Sequence, residues 1–505
     1  MNTVVNFFVN KFKVISSKED LKKVVLECII VVLQTIYRPA MDHKSWGNKK
    51  NISQLIERYE NMLNGNTQLF FDSYEFEDIA DHYIDKGLLG EAMGSMDLAF
   101  KQYPFSANFL IKKGQILTIL ERLSEAEKVL ERAETLEPSN PDLHIAKGSI
   151  LSKKRKHQQA LTHFQKAQNL SENAMDVFPF IAFEYQCLGK FNDAIKYLSS
   201  FLEEDPEDDI AIFNIAYCFE RTDAFNDAID FFKNLIEKAP YCEIIWYQLG
   251  LFHNKTKDYK QAVWALDYAI TIDECFTAGY HEKARSLSHL GKTKEAIKTY
   301  MLTFAFEEPT GFTYLKIGLC YKELSQYKQA IRYLTKACHE DPQLSEAWLE
   351  IGLCYDDSGA SEEGLHYMKK ALNLNPDDLE YLYIQTKTYK KIGLYAEADL
   401  GYQKLIELGC DSPALWMEYA QLMRDLNETK DAISLLRQGL QKNKNHVNLL
   451  FRLGAYLFLE GQEEQASKYL QKANAIQPDS KSDLFEHIPD LEKNTSFKKL
   501  LKTNE

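Results

Sequence analysis

Three stretches carry residue types that do chemistry in other proteins. Gly291-Lys292-Thr293 has the ending of a phosphate-binding loop, in which glycine-rich backbone wraps a phosphate and a lysine neutralises it. Ser286 stands where the first glycine of such a loop belongs, and the tripeptide falls in a turn between helical patterns. Adjacent carboxylates such as Asp356-Asp357 serve acid–base chemistry when held in a cleft, but along an amphipathic helix they read as a solvated face. His281 and His289 stand about two helical turns apart with Arg285 between them. That separation is too long for sharing a metal ion, and a guanidinium between the rings opposes a cation. Arg285 flanked by imidazoles suits an anion, and the competing reading is a polar groove lining. The chain has no HExxH and no GxSxG, and no acid, base and nucleophile are grouped. The sequence therefore reads as non-enzymatic, with no cofactor and no metal site.

Composition narrows the rest. With 505 residues and 45% hydrophobic content, the chain is long enough to bury a large core. A net charge of -14 disfavours nucleic acid as a partner, because binding phosphates requires a dominant basic face. Nine cysteines, an odd number without CxxC spacing, point to reduced thiols in the cytoplasm. The most apolar run, Val24 to Tyr37, spans about fourteen residues where a membrane helix needs roughly twenty, and it contains Glu27 and Gln34. It reads as a packed or dispensable helix. Membrane or partner attachment through residues 1–40 and a processed leader are the alternatives, with Met41 as a second candidate start.

What positions these residues is a repeat. Stepping by 34 residues reaches Ala92, Ala126, Ala160, Ala194, Ala228, Ala262, Ala296, Ala330, Gly364, Ala398, Ala432 and Ala466. A parallel series runs Ala80, Gly114, Gly148, Ala182, Ala216, Gly250, Ala284, Gly318, Gly352, Thr386, Ala420 and Gly454, with Thr386 the single departure. Small side chains at a fixed interval let two antiparallel helices approach closely, and Gly359 falls between the series as part of the turn. Trp348, Ile351 and Tyr355 supply the apolar face of a first helix; Gly364, Met368 and Ala371 supply that of a second. Pro104, Pro138, Pro206, Pro240, Pro342, Pro376 and Pro478 mark the ends of second helices in the same register.

At Trp348, Ile351, Gly352, Tyr355 and Pro376 the chain resembles the tetratricopeptide repeat family. It does so again at Trp246, Leu249, Gly250 and Ala262, and at Tyr314, Ile317, Gly318, Tyr321, Ala330 and Pro342. The whole-chain character is similar to that of long tetratricopeptide proteins common in Bacteroidota. The resemblance implies an all-α fold, an alpha-alpha superhelix or TPR solenoid of about twelve 34-residue hairpins with helical caps. The expected divisions are an N-terminal helical extension and cap at 1–72, twelve repeats at 73–480 and a C-terminal helical cap at 481–505. Ile52, Leu55, Ile56, Tyr59, Met62 and Leu63 form the first cap's stripe. Leu484, Phe485, Ile488, Leu491, Phe497, Leu500 and Leu501, interrupted by Pro489, form the second. Docking of a partner is the other use for either stripe. Lys113, Lys147, Lys283 and Gln385 replace the signature leucine, and Glu172, Glu274, Glu308, Cys410 and Lys444 replace the proline. These read as tolerated drift, with the units of Lys283 and Gln385 as candidates for a softer joint.

The resemblance also implies that the second, fifth, ninth, twelfth and thirteenth positions of each first helix line a concave groove. Those positions give Phe183, Ile210, Phe213, Tyr217, Ile244, Tyr247, Leu251, Phe312, Leu315, Leu319, Leu349, Leu353 and Tyr383, with His281 and Arg285 among them. Such a strip suits an extended peptide or amphipathic helix of a protein partner; the competing reading packs several of these residues against the adjacent repeat. Glu346, Glu350, Asp356 and Asp357 face Lys387, Lys390 and Lys391 across neighbouring units and are expected to pair. The chaperone-tail clamp of some family members wants lysine at the fifth and asparagine at the ninth position of one unit. No unit here has both, which disfavours that ligand. The expected function is a cytoplasmic protein-interaction scaffold. The alternative is an envelope-associated assembly or secretion factor tethered through its N-terminal apolar helix.

Overall fold

The computed structural model describes residues 49–65, 69–477, 484–485 and 487–501. The apolar run at 24–37, Met41 and Pro478 lie outside the described residues. Every regular element among the described residues is helical, and the chain divides into two compact units at residues 290 and 291.

The first unit opens on α1 (Lys49–Gly65) and continues as helix pairs. These are α2 (Ser73–Asp85) with α3 (Leu89–Gln102), α4 (Ala107–Ile119) with α5 (Leu123–Leu136), and α6 (Pro141–Lys153) with α7 (His157–Leu170). Then come α8 (Phe178–Cys187) with α9 (Phe191–Glu204), α10 (Asp209–Arg221) with α11 (Phe225–Lys238), and α12 (Glu243–Lys255) with α13 (Tyr259–Ile272). The unit closes on α14 (Thr277–His289). The second unit opens on α15 (Thr293–Leu302) and pairs α16 (Gly311–Glu323) with α17 (Tyr327–Glu340), α18 (Ser345–Asp357) with α19 (Ser361–Leu374), and α20 (Leu379–Lys391) with α21 (Tyr395–Glu407). It ends with α22 (Pro413–Asp425) and α23 (Thr429–Lys442), α24 (Val447–Leu459) and α25 (Glu463–Ile476), then the short α26 (Pro489–Lys493) and α27 (Thr495–Leu501).

The small-residue register is a packing device. Ala194, Ala228 and Ala262 are all 0% exposed, within the hairpins and not on turns. A Cβ on Gly114 would meet Leu130 Cγ at 2.8 Å, one on Gly250 would meet Leu266 Cγ at 2.6 Å, and one on Gly318 would meet Leu334 Cγ at 2.7 Å. In α18 and α19 the backbones themselves close up: a Cβ on Gly364 would lie 2.6 Å from the Gly352 carbonyl oxygen. Where Thr386 breaks the series, Gly401 on the partner helix yields the space.

The turns carry a third series. Residues 87, 121, 155, 189, 223, 257, 291, 325, 359, 393, 427 and 461 all have positive φ, although Glu121, Arg155, Asp223, Lys257, Ser325 and Asn427 are not glycine. Gln326 N donates to Tyr321 O at 2.9 Å and Ser325 N to Lys322 O at 2.7 Å, the paired bonds that end a helix through a left-handed residue. Tryptophan and proline are also linked. Trp348 Nε1 donates to the Pro342 carbonyl at 3.1 Å and Trp246 Nε1 to that of Pro240 at 2.9 Å, so the indole ties each first helix to the loop before it.

Units without the proline depart locally. A 3-10 turn at Ala174–Val177 follows Glu172, and another at Thr303–Ala305 ends the second helix before Glu308. Gly409 and Asn445 enter positive φ beside Cys410 and Lys444. The lysines at the leucine position are anchored: Lys113 pairs with Asp97, Lys283 with Asp267, and Lys147 with Glu134 at 2.5 Å, each on the preceding second helix. Gln385 is buried, and its Nε2 has no acceptor among the described residues.

At the first end, Ile56 and Tyr59 of α1 bury against Phe71, Phe76 and Ile79, with Arg58 bonded to Glu75 at 2.7 Å and lying over Phe71. Leu63 is a correction to the stripe: it is 53% exposed, inside the last turn of the helix. At the other end, Leu484, Ile488, Leu491 and Phe497 join the core of the last three pairs.

Candidate functional site

Within each unit, first helices of successive pairs touch one another, α4 with α6, α10 with α12 and α22 with α24. First helices therefore form a continuous row along each stack. Their twelfth positions are tied to the next first helix: Gln186 Nε2 donates to Asn214 O at 3.3 Å, Lys322 Nζ to Glu350 at 2.7 Å and Lys390 Nζ to Glu418 O at 3.3 Å.

The first unit carries Phe183, Phe213, Tyr217, Tyr247, Leu251, His281 and Arg285 on four consecutive first helices, α8 to α14. Phe183 and His281 are buried and belong to the framework. Phe213, Tyr217, Tyr247 and Leu251 are partly exposed. Phe213 and Tyr247 pack with one side against the core that contains Ile212, Ile245 and Leu249. Tyr217 meets Phe191 edge-on at 5.9 Å, and Tyr247 meets Phe276 edge-on at 5.1 Å. Burial, with Glu282 second, pushes the Tyr247 phenol far above its ordinary range, and burial raises Tyr217 as well. Both phenols stay protonated at physiological pH, with the Tyr247 hydroxyl turned into the protein and the Tyr217 hydroxyl half-buried.

Arg285 is exposed, but its guanidinium lies 2.6 Å from Glu282, whose carboxyl is raised by burial against the pull of Arg285 and Lys255. His289 stacks on Tyr259 at 4.7 Å. A carboxylate thus already takes the charge that an anion at Arg285 would need.

The second unit carries Phe312, Leu315, Leu319, Leu349, Leu353 and Tyr383 on α16, α18 and α20. Leu315 is 0% exposed inside a cluster with Leu334, Ala337 and Ile351, and Leu349 buries against Leu365 and Met368. Both support the wall from behind. Phe312, Leu319, Leu353 and Tyr383 remain partly exposed, with Lys316 over the Phe312 ring at 4.9 Å and Lys387 over Tyr383 at 5.5 Å. Of the expected charge pairs, Lys391 reaches Asp356 at 2.8 Å, whereas Glu350 pairs with Lys322 and Lys387 turns to Glu418 at 3.4 Å.

Sequence reasoning missed a polar cluster farther along. Gln421, at the ninth position of α22, bonds Tyr456 Oη at 2.9 Å and contacts His487 Nε2. Burial first, and then the positive charges of Arg452, Arg424 and Lys390, push that imidazole down to about 4 against Asp425. Basic residues at the twelfth position of consecutive units, Lys390 and Arg424, were the available signal.

Tetratricopeptide repeat family models match residues 107–140, 185–242, 313–344, 345–378 and 423–484. With the helix pairs in 34-residue register, they identify the chain as a member of the tetratricopeptide repeat family. No curated protein matches it in sequence. Among solved structures it is similar to the C-terminal part of a TPR repeat-containing protein from Cytophaga hutchinsonii, with TM-score 0.42 and 16% identity over 51% of this chain and 100% of that one. A tetratricopeptide repeat protein from Parabacteroides merdae gives 0.34 and 20% over 49% and 98%. The Cut9–Hcn1 hetero-tetramer of the APC/C gives 0.37 and 13% over 90% and 99%. No helix among the described residues is long and apolar enough to cross a membrane.

Proposed function

We propose that this protein is a non-enzymatic cytoplasmic scaffold that holds an extended peptide or amphipathic helix of a protein partner along its first-helix wall. The array runs from 73 to 480 between helical caps. The observation that carries the reading is the set of partly exposed aromatics at the fifth and ninth positions of adjacent first helices, Phe213 and Tyr217 on α10 and Tyr247 on α12. Large rings with one packed side present apolar area at little entropic cost, and the half-buried Tyr217 phenol adds a donor. Phe312, Leu319, Leu353 and Tyr383 offer a second stretch of the same character in the second unit, while Phe183, His281, Leu315 and Leu349 hold the wall in place.

Replacing Phe213, Tyr217 and Tyr247 by alanine should abolish capture of the cellular partner while circular dichroism shows unchanged helicity. Full capture by a folded triple variant would move the site off this wall.

A further inference from the structure

We infer that His144 and His163 form a chelating site for a divalent transition-metal ion of the zinc class, which clips α6 to α7. The site goes beyond the aromatic wall and uses none of its residues. His144 Nδ1 and His163 Nδ1 stand 3.4 Å apart, on the first and second helix of one hairpin. That is long for a hydrogen bond between rings, where about 3.0 Å is usual for an N–H donor. It matches a shared ion: tetrahedral zinc, with Zn–N bonds of about 2.0–2.1 Å, holds its nitrogens about 3.3–3.4 Å apart.

The repeat shows what these two rings replace. In 34-residue register with them stand Trp348 and Tyr367, whose rings meet at 6.2 Å, Tyr314 and Tyr333 at 6.3 Å, and Phe178 and Tyr197 at 5.2 Å. An imidazole pair fills the same place, with centroids 5.6 Å apart, and adds ligating nitrogens that the aromatic pairs lack. His144 also keeps the tryptophan's anchor: its ring bonds the Pro138 carbonyl, as Trp348 Nε1 bonds that of Pro342. A ring held by a backbone carbonyl is the arrangement that orients a metal-bound histidine. His144 is buried and His163 partly exposed, so an ion enters from the His163 side.

The surrounding charges admit a cation. Lys147 is taken by Glu134 at 2.5 Å, and Glu134 also acts on both rings. Lys166 stands where Lys336 and Lys370 lie over the aromatic pairs, but it is exposed and its stem can swing into solvent. Burial, ahead of any neighbouring charge, lowers both imidazoles from their ordinary range, so both are neutral donors at neutral pH. Among the described residues no third histidine, cysteine or carboxylate completes the set, so the site is a two-histidine chelate with water at the remaining positions. The 19-residue separation, across a turn, fits no metal-ligand spacing that a sequence displays.

The test is zinc titration of the full chain against a competing indicator at neutral pH, with hydrogen exchange as the spatial readout. Zinc should bind and slow exchange in peptides from residues 141–170, because ligation stabilises the structure that holds the ligands. Magnesium, which takes oxygen ligands, should leave that exchange unchanged. His144→Trp and His163→Tyr install the residue types found at these places in α18 and α19, so each variant should keep its helicity. Each should weaken zinc binding at least tenfold and remove the protection. Unchanged zinc affinity in either folded variant, equal protection by magnesium, or zinc-dependent protection absent from residues 141–170 would overturn the assignment. The alanine variant of Phe213, Tyr217 and Tyr247 should bind zinc as the parent does, so failure of the aromatic wall and failure of this site give different results.

Discussion

Gly401→Ala isolates the close hairpin contact in the unit where Thr386 breaks the small-residue series. Glycine in the interior of α21 is unfavourable by itself, and alanine there should gain about 0.5–1 kcal/mol of helix propensity. The added methyl, however, would lie well inside contact distance of Thr386 Oγ1 and 3.0 Å from its Cγ2. Thr386 is 1% exposed and cannot easily turn aside, because its hydroxyl is bonded to the Leu382 carbonyl at 2.7 Å and its β-branch restricts χ1. Overpacking of this kind costs about 1–3 kcal/mol, so the net change should be a loss of about 1–2 kcal/mol. With Thr386→Ala in place the clash disappears, and the same substitution should stabilise by roughly 0.5–1 kcal/mol. The cycle therefore has a coupling of about 2 kcal/mol. Because an array opens by parts, hydrogen exchange of peptides from residues 379–407 is the informative assay, supported by urea melts. Equal destabilisation in both backgrounds would refute the claim that contact with Thr386 is why position 401 is glycine.

Two further outcomes concern buried polar groups. Burial first, then Glu243, Asp208, Asp205 and Glu207, raise Asp209 to about 6. Its folded form favours the proton, so its contribution is fully present below the unfolded value near 3.8 and is lost as pH rises through about 6. Asp209→Asn should therefore stabilise the first unit by about 1–2 kcal/mol at neutral pH, and the gain should vanish near pH 4 in pH-resolved melts. Gln385→Leu should stabilise the α20–α21 pair by about 1 kcal/mol, since it removes a buried donor without an acceptor. Slower hydrogen exchange in residues 379–407 checks it, and faster exchange would mean that the amide has a partner.

The fold was legible because a single interval repeats. Two rows of small residues 34 apart are visible in the sequence alone, and the structure buries Ala194, Ala228 and Ala262 completely. The left-handed turn series stayed hidden apart from Gly291 and Gly359, because half its positions are not glycine and residues such as Glu121, Arg155 and Lys257 carry no turn signal by type. Lys113, Lys147 and Lys283 looked like drift, since their carboxylate partners sit on a preceding hairpin and no within-helix spacing reveals them. Groove positions could be named from the register, but the register does not say which side chains turn inward. Leu315 and Leu349 went to the core while Tyr217 and Leu353 kept a free side. Arg285 looked like an anion receptor until Glu282, on its own helix, took the charge. The cluster around His487 joins residues 66 positions apart in sequence, a distance at which pattern reading has no purchase.

The most direct test of the account places a photo-crosslinking side chain at Phe213, on the first-helix wall, and in a second variant at Trp264, 43% exposed on the second helix α13. Mass spectrometry of adducts formed in cells should find one partner protein attached at position 213 and not at 264. The same partner attached at 264 and absent from 213 would contradict the proposal that the first helices are the binding face.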